Sequence, residues 1–357
     1  MAKVLVINPG STSTKIAVYD DDQLLFLENI VHQQQDLARY PTIYDQYEMR
    51  AEVVREVLHQ HGYRGDGFAA VVARGGLLPH ARPGAYLVTR PLLDTLRYKP
   101  QNDHHISNIG AALANNMAAP WKLPAYIYDP VTADEMDPIV RITGLQEMER
   151  RSQGHILNMR AAAIKKAEAE GRPYDQLTMI VAHLGGGITL SLHHQGRIVD
   201  MISDDEGPFS PERAGGLPGY QLIAWATDGG HDYRSLFTKV SRQGGLMSHF
   251  GTTDALEVLK MMEAGDERAG LVLEAMCLAV AKNIAKLSVV VSGRLDHIII
   301  TGGLARSQVF CDWVGDRVSF IAPVTVIAGE NEMEALAQGA LRVLRGQEKA
   351  REYIPRD

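Results

Sequence analysis

The stretch VLVINPGSTSTKIAVYD (Val4–Asp20) joins two apolar runs through Asn8-Pro9-Gly10, four hydroxyl residues and Lys15. Val4–Ile7 is short, apolar and bounded by turn residues, as a buried strand should be. Ile16–Tyr19 follows, then Leu24–Leu27 across the turn DDDQ. Connections this short make an antiparallel meander, so the glycine loop sits at the tip of a hairpin. That excludes two familiar phosphate loops. A Walker A loop runs from Gly-Lys-Ser/Thr into a helix, whereas Thr14-Lys15 runs into a strand, and a dinucleotide fingerprint also needs a helix after its glycines.

The pattern recurs in MIVAHLGGGITLSLHHQGRIVDMI (Met179–Ile202): an apolar strand ending in His183, the loop Gly185-Gly186-Gly187, an alternating strand, a turn at Gln195-Gly196 and a third strand. A second pair follows in the same order, VVARGGL (Val71–Leu77) and IIITGGL (Ile298–Leu304). The repetition points to an α/β fold of two similar, duplicated domains with a nucleotide cleft between them. The expected boundaries are 1–152 plus 331–357 for the first domain and 153–330 for the second. Helices are expected over Gln46–His61, Asn158–Glu170, Asp254–Ala264 and Glu267–Val290, with a last one opening at a capping pattern, Asn331 with Glu334 three residues on.

At 357 residues, 45% hydrophobic and 22% charged, the chain is long enough for two cores. A net charge of −7 with scattered Lys and Arg offers no footprint for nucleic acid. Cys277 and Cys311 stand outside any CxxC, which argues against a disulfide framework and for a reducing compartment. Leu271–Val291 is apolar but carries Glu274, Lys282 and Lys286 at helical spacing, so it reads as a core helix rather than a membrane span. With no signal peptide pattern, the expected location is the cytoplasm.

Two glycine hairpins from similar halves offer backbone N–H groups to an anion, and glycine lets phosphate approach the main chain. Ser11, Thr12, Ser13, Thr14 and Lys15 add donors to the first loop, and the strand–Gly-Gly turn at Thr301–Arg306 adds a third element. Together they favour a nucleotide triphosphate. EGPFSPERAGGLPGY (Glu206–Tyr220) is a constrained loop holding one cation, Arg213. Arg74 ends a buried strand before a Gly-Gly turn, where it either serves a site or makes a structural ion pair. Asp129 ends AYIYDP, as a partner for a hydrated cation or as a turn cap. The pairs His104-His105 and His193-His194 place adjacent side chains on opposite faces of a strand, which disfavours metal binding. His193-His194, beside a turn, is expected in solvent; His105 remains a site candidate.

VINPGSTSTK, ARGGLL, AHLGGG, EGPFSPERAGGLP, TGGLARS and GENEMEALAQGALRVL together resemble the acetate kinase family, and within it the butyrate kinases, on the sugar kinase/heat-shock/actin ATPase superfold. The resemblance runs from the first strand to the last helix. It implies that Asn8, Ser11, Ser13 and Lys15 form the first phosphate loop, Gly185, Gly186 and Gly187 after His183 the second, and that Gly302 and Gly303 hold the adenosine side of ATP. Arg74 and Arg213 correspond to the arginines that grip the substrate carboxylate and the transferring phosphoryl. Asp129 corresponds to the aspartate that organises the site, His105 to an active-site histidine with the spacing shifted by one residue, and Glu332 to a glutamate associated with Mg²⁺. Where acetate kinases carry HGTSH, this chain has HILNM, keeping His155 and placing Met159 in the second position; acetate kinases are also longer. The resemblance further implies a homo-oligomer, and a small carboxylate as the other substrate.

Attack by an already ionised carboxylate on the γ-phosphorus needs no general base. It needs cations and N–H donors to bring two anions together and stabilise a loose transition state. The expected reaction is direct, reversible transfer between ATP and butyrate or isobutyrate. A sugar or other hydroxyl kinase is the alternative, with Asp129 as its base; a third is an actin- or chaperone-like ATPase module.

Overall fold

The computed structural model describes residues 2–65, 67–98 and 105–355, so His104 lies outside the described residues. The chain groups into two units, one of Met1–Asp134 with Asn331–Asp357 and one of Glu135–Glu330. The first crossing falls at 134/135, earlier than the expected 152/153. The reason lies in the connecting segment: Asp137 N donates to Val199 O at 2.9 Å, and Arg150 pairs with Asp200 and Glu206, which draws 135–152 to the second sheet.

The first unit holds a six-stranded sheet in the order β3-β2-β1-β4-β6-β5, with β1 Lys3–Pro9, β2 Ser13–Asp20, β3 Gln23–Val31, β4 Phe68–Arg74, β5 Ala85–Leu87 and β6 Ala125–Tyr128. β1, β2 and β3 form the antiparallel meander read from the sequence, while β1, β4 and β6 run parallel. Parallel strands covered on both faces read as unbroken apolar runs, and VLVI in β1 and AVVA in β4 are buried throughout. The second unit repeats the plan: β11-β10-β7-β8-β9, with β7 Met179–Leu184, β8 Ile188–His194, β9 Arg197–Ile202, β10 His297–Gly302 and β11 Val324–Ala328. β7, β8 and β9 make the meander, and β7, β10 and β11 run parallel. The duplication is therefore one of topology, with β5 added at the edge of the first sheet.

Helices cover these sheets by the faces their spacing dictates. Glu267–Ser288 buries Ala269, Val272, Leu273, Met276, Val280, Ala281 and Ile284 in the second core, and Asp266 caps it by accepting from Arg268 N and Ala269 N. No helix among the described residues is long and apolar enough to cross a membrane. The last helix, Glu332–Leu344, packs in the first unit, but Asn331 makes no side-chain cap hydrogen bond. Glu332 instead turns its carboxylate towards β1 and β4.

His193 corrects a further expectation. The ring is fully buried rather than solvated, with Nδ1 2.6 Å from the Tyr174 hydroxyl and Nε2 2.8 Å from Ser191 Oγ. His194 is half-buried, on Thr178. Burial pushes the His193 imidazole from 6.5 down to about 3, with Arg160 adding to the shift. Such a histidine stays neutral in the fold yet protonates in the unfolded chain, so acidification below about 6.5 favours unfolding. At pH 5 this one group should cost about 2 kcal/mol relative to neutrality. His193→Gln should therefore lose less stability than the wild type between pH 7 and pH 5, as read from urea midpoints; equal losses would remove His193 from the acid response.

Candidate active site

β1, β4 and β6 end at one edge of the first sheet, since Ile7 pairs with Ala73 and Ala73 with Ile127. The residues just beyond, Asn8, Arg74 and Asp129, are thereby brought to the carboxyl ends of adjacent parallel strands, where α/β sheets bind ligands. Asn8 and Arg74 meet through Glu332. Asn8 Nδ2 donates to Glu332 Oε2 at 2.6 Å, and Arg74 donates to Oε1 at 2.7 Å. The ion pair thus joins Asn8, Arg74 and Glu332 in one cluster, and both oxygens of Glu332 are engaged. Asn8 Oδ1 is buried with no hydrogen-bond partner. A buried acceptor left open in this way calls for a ligand or an ordered water.

His105 Nδ1 accepts from Ser107 N at 3.3 Å. Burial, helped by the Arg74 guanidinium, pushes its imidazole down to about 4, so it is neutral at neutral pH. Asp129 is buried and sits at φ 43°, a left-handed conformation costly for a residue with a Cβ. Its Oδ1 accepts from Gly84 N at 2.6 Å. The turn after Arg74 packs closely enough that a Cβ on Gly75 would lie 2.7 Å from Pro130 Cα, next to Asp129.

The first hairpin loop is held from behind by a residue that the sequence reading passed over. Arg50, on the helix Tyr47–Gln60, is completely buried. It donates to Gly10 O (2.9 Å), Ser13 O (2.7 Å), Ser11 O (3.2 Å), Thr14 Oγ1 (3.1 Å) and Gln46 Oε1 (2.9 Å). The loop's carbonyls face inward onto this one guanidinium. Ser11 and Thr12 remain exposed, with Ser13 and Lys15 half-buried. Thr14 points inward, 2.8 Å from His32 Nε2. Desolvation lowers the Arg50 pKa to about 10.

In the second unit, β7, β10 and β11 likewise end together, bringing His183, Gly302 and Glu330 to one edge. His183 is fully buried and neither ring nitrogen has a hydrogen-bond partner. The ring stacks on His155, with centroids 4.0 Å apart, and Nε2 lies 3.7 Å from Glu330 Oε1. Met159 fills buried space beneath the sheet, its sulfur accepting from Ser191 Oγ at 3.3 Å. The three loop glycines differ in what they do. Gly185 and Gly187 are buried, and a Cβ on Gly187 would stand 2.8 Å from the Arg213 guanidinium carbon. Gly186 is exposed, and a Cβ there would meet the Glu212 carboxylate at 3.5 Å, an ordinary contact. Gly302, at φ 94°, allows close contact with the Leu184 carbonyl, whereas Gly303 is exposed with nothing nearby.

The Arg213 loop is tied to the second glycine loop. Buried Ser210 donates from Oγ to Gly186 O at 2.6 Å, and Glu212 N reaches the same carbonyl at 3.4 Å. Arg213 lies against Gly187, paired with Asp204 and, at 3.7 Å, with Glu212. A cation is thus held beside a glycine turn, with carboxylates in attendance. Among the described residues no group of three or more His, Cys, Asp or Glu is arranged to hold a metal ion.

Residues 150–318 match the family model described as the acetokinase family. This segment, just under half of the chain, is similar to that family. It contains His155, the second glycine loop, the Arg213 loop and the turn after β10. Among solved structures, an acetate kinase from Porphyromonas gingivalis superposes with a TM-score of 0.81 at 17% identity, over 96% of this chain and 100% of that one. A propionate kinase from Francisella tularensis gives 0.76 at 17%, over 95% and 99%. A ROK hexokinase from Thermus thermophilus gives 0.51 at 15%, over 96% and 100%. These likenesses are of fold, and the two-sheet α/β architecture is the one expected from the sequence.

The geometry singles out Arg50 for a test of how the first loop is built. Arg50→Met would leave three loop carbonyls facing an apolar side chain, a loss on the order of 3 kcal/mol. Arg50→Lys should recover part of it, because an ammonium can reach some of the same acceptors but not as a fork. Urea unfolding of the two variants checks this; a methionine variant as stable as the wild type would show that the loop stands without the guanidinium.

Proposed function

We propose that this protein is an ATP-dependent kinase of small carboxylic acids, forming an acyl phosphate by direct, reversible transfer. The observation that carries this reading is the packing of the Arg213 guanidinium on Gly187 while Ser210 ties its loop to Gly186. A cation suited to a transferring phosphoryl group is fixed to a turn suited to phosphate. In this reading Ser11, Ser13, Lys15 and the glycine turn Gly185–Gly187 bind phosphates, and exposed Gly303 faces the adenosine side. Arg74 and Arg213 take the substrate carboxylate and the phosphoryl oxygens, leaving Glu332 and Asp204 as they do so. His183, buried with both nitrogens open, supplies hydrogen bonds, and neutral His105 does so without adding charge. Asp129 positions the turn after β6.

Mg²⁺ fits the oxygen donors available: Asn8 Oδ1, buried and open, and Glu332 beside it would hold it through its water shell, where it neutralises phosphate charge. Every other step belongs to the protein's own groups. Arginines and N–H groups orient the two anions and stabilise the charge spread over the transferring group.

Arg213→Ala should lower turnover by roughly 10²–10³-fold, the effect of losing a preorganised charge donor, with far less change in ATP affinity. Calorimetry alongside steady-state kinetics reads both; lost ATP binding with turnover intact would reverse the assignment.

The resemblance to butyrate kinases and the loss of the second histidine to Met159 favour butyrate or isobutyrate over acetate. A methylene in an apolar pocket is worth roughly 1–3 kcal/mol, so acetate should trail by on the order of ten-fold or more in kcat/KM. Enzyme, ATP and Mg²⁺ are mixed with hydroxylamine and a panel of acids, trapping acyl phosphate as hydroxamate, while ADP release is followed with sugars and glycerol. Hydroxamate with butyrate and no response to sugars is expected. Sugar-dependent ADP release without hydroxamate would sink the carboxylate reading in favour of the hydroxyl kinase. A faster reaction with acetate would sink the chain length alone.

A further inference from the structure

A left-handed backbone such as that of Asp129 persists only where its surroundings over-determine it. Here they do so in two layers. Asp129 Oδ1 accepts from Gly84 N at 2.6 Å, and Asp129 N donates back to Gly84 O at 3.1 Å. The residues flanking this reciprocal pair, Ala85 after Gly84 and Tyr128 before Asp129, face each other across β5 and β6. Both are gripped by one carboxylate from the far end of the chain. Glu348 Oε1 accepts from Ala85 N at 3.1 Å, and Oε2 accepts from the Tyr128 hydroxyl at 2.6 Å.

Glu348 is itself fixed. Arg342, on the last helix, donates to Glu348 Oε2 at 3.3 Å and to the Tyr128 hydroxyl at 2.7 Å. Beyond it the main chain joins the outer edge of β5: Arg351 N donates to Ala85 O and Leu87 N to Arg351 O, each at 2.9 Å. The opposing residues leave room for this tail. A Cβ on Gly84, at φ 116°, would lie 2.7 Å from Glu348 Oε1, and one on Gly339 would strike the Tyr128 ring at 2.5 Å. Tyr128 also stands in register with Arg74, and its carbonyl accepts from Gly75 N at 3.2 Å. A hold on Tyr128 is therefore a hold on the strand ends that carry Arg74 and Asp129. Burying a carboxylate merely to staple a sheet edge costs more than an apolar contact would; what it adds is direction, two acceptors aimed at two neighbouring strand ends.

We propose that Glu348 is a positioning residue for phosphoryl transfer, setting Asp129 and the end of β6 through Ala85 and Tyr128. The inference rests on the reading of Asp129 as part of that site. Hydrogen exchange of the full chain tests the geometry with no substrate present. In Glu348→Ala the Gly84 and Asp129 amides should exchange on the order of ten-fold faster, while those of β1 and β2 keep their rates. Unchanged Gly84 and Asp129 amides, or equal acceleration throughout the sheet, would overturn the proposal. Tyr128→Phe removes one of the two bonds and fills the same space; it should show the same pattern in milder form, and serves if the alanine variant does not fold. The kinetic arm follows acyl phosphate. Glu348→Ala should lower kcat by about ten-fold with the KM for ATP within about two-fold, and Glu348→Gln, which keeps an acceptor for Ala85 N, should recover most of the loss. In an Asp129→Ala background, Glu348→Ala should cost less than about two-fold, because the group it positioned is gone. A loss there as large as in the wild type would mean a general weakening of the fold and would overturn the proposal. If the wild type phosphorylates no acid, the kinase reading fails and the exchange rates alone judge Glu348; they also decide if Asp129→Ala has no measurable turnover.

Discussion

A strand covered on both faces has no surface of its own to offer; only its ends are open. β1, β4 and β6 in one unit, and β7, β10 and β11 in the other, are of this kind, so whatever chemistry the sheets carry must gather at their carboxyl edges. The parallel register aligns Asn8, Arg74 and Asp129 in one case and His183, Gly302 and Glu330 in the other. The turns that leave these ends are crowded. Asp129 accepts a left-handed backbone, and Gly75 and Gly302 are glycines because a Cβ there would strike Pro130 or the Leu184 carbonyl.

The cations at these edges are held in two ways. Arg50 is satisfied by loop carbonyls, a hydroxyl and an amide, and so shapes the chain without offering its charge to a ligand. Arg74 and Arg213 rest on carboxylates, Glu332 and Asp204, and remain partly exposed. An anion that reached either guanidinium would find it already oriented, and would have to compete with its carboxylate for it. Fixed geometry with an exchangeable partner suits a site that must also release its product.

The hairpins were legible because their signal is local: an apolar run, glycines and an alternating run lie within a few dozen residues. Arg74 and Arg213 were legible as cations at a strand end and in a constrained loop. Arg50 was not, because its partners lie some forty positions earlier and nothing in Tyr47–Gln60 distinguishes it from a surface arginine. Glu330 escaped for a similar reason, since GENEME offers three acids and only the fold shows that Glu330 and Glu332 belong to different units. His193 was misread because proximity to a turn outweighed strand alternation, which sends it inward to Tyr174. Asn331 fits a capping pattern, yet the acid that follows it is claimed by Asn8 and Arg74.

The chain enters the first unit, leaves it at Asp134 and comes back only at Asn331. On the ribosome the second unit is therefore complete in sequence before the first, even though the first begins earlier. Until Glu332–Leu344 emerges, β1 and β4 lack the helix that packs against them, and Asn8 and Arg74 lack the carboxylate that joins them. The nascent protein thus carries an unfinished sheet through most of its translation, a stretch in which chaperones have apolar surface to bind. A chain cut short before its last helix would keep nearly every residue named in the site and still lack the glutamate that joins two of them.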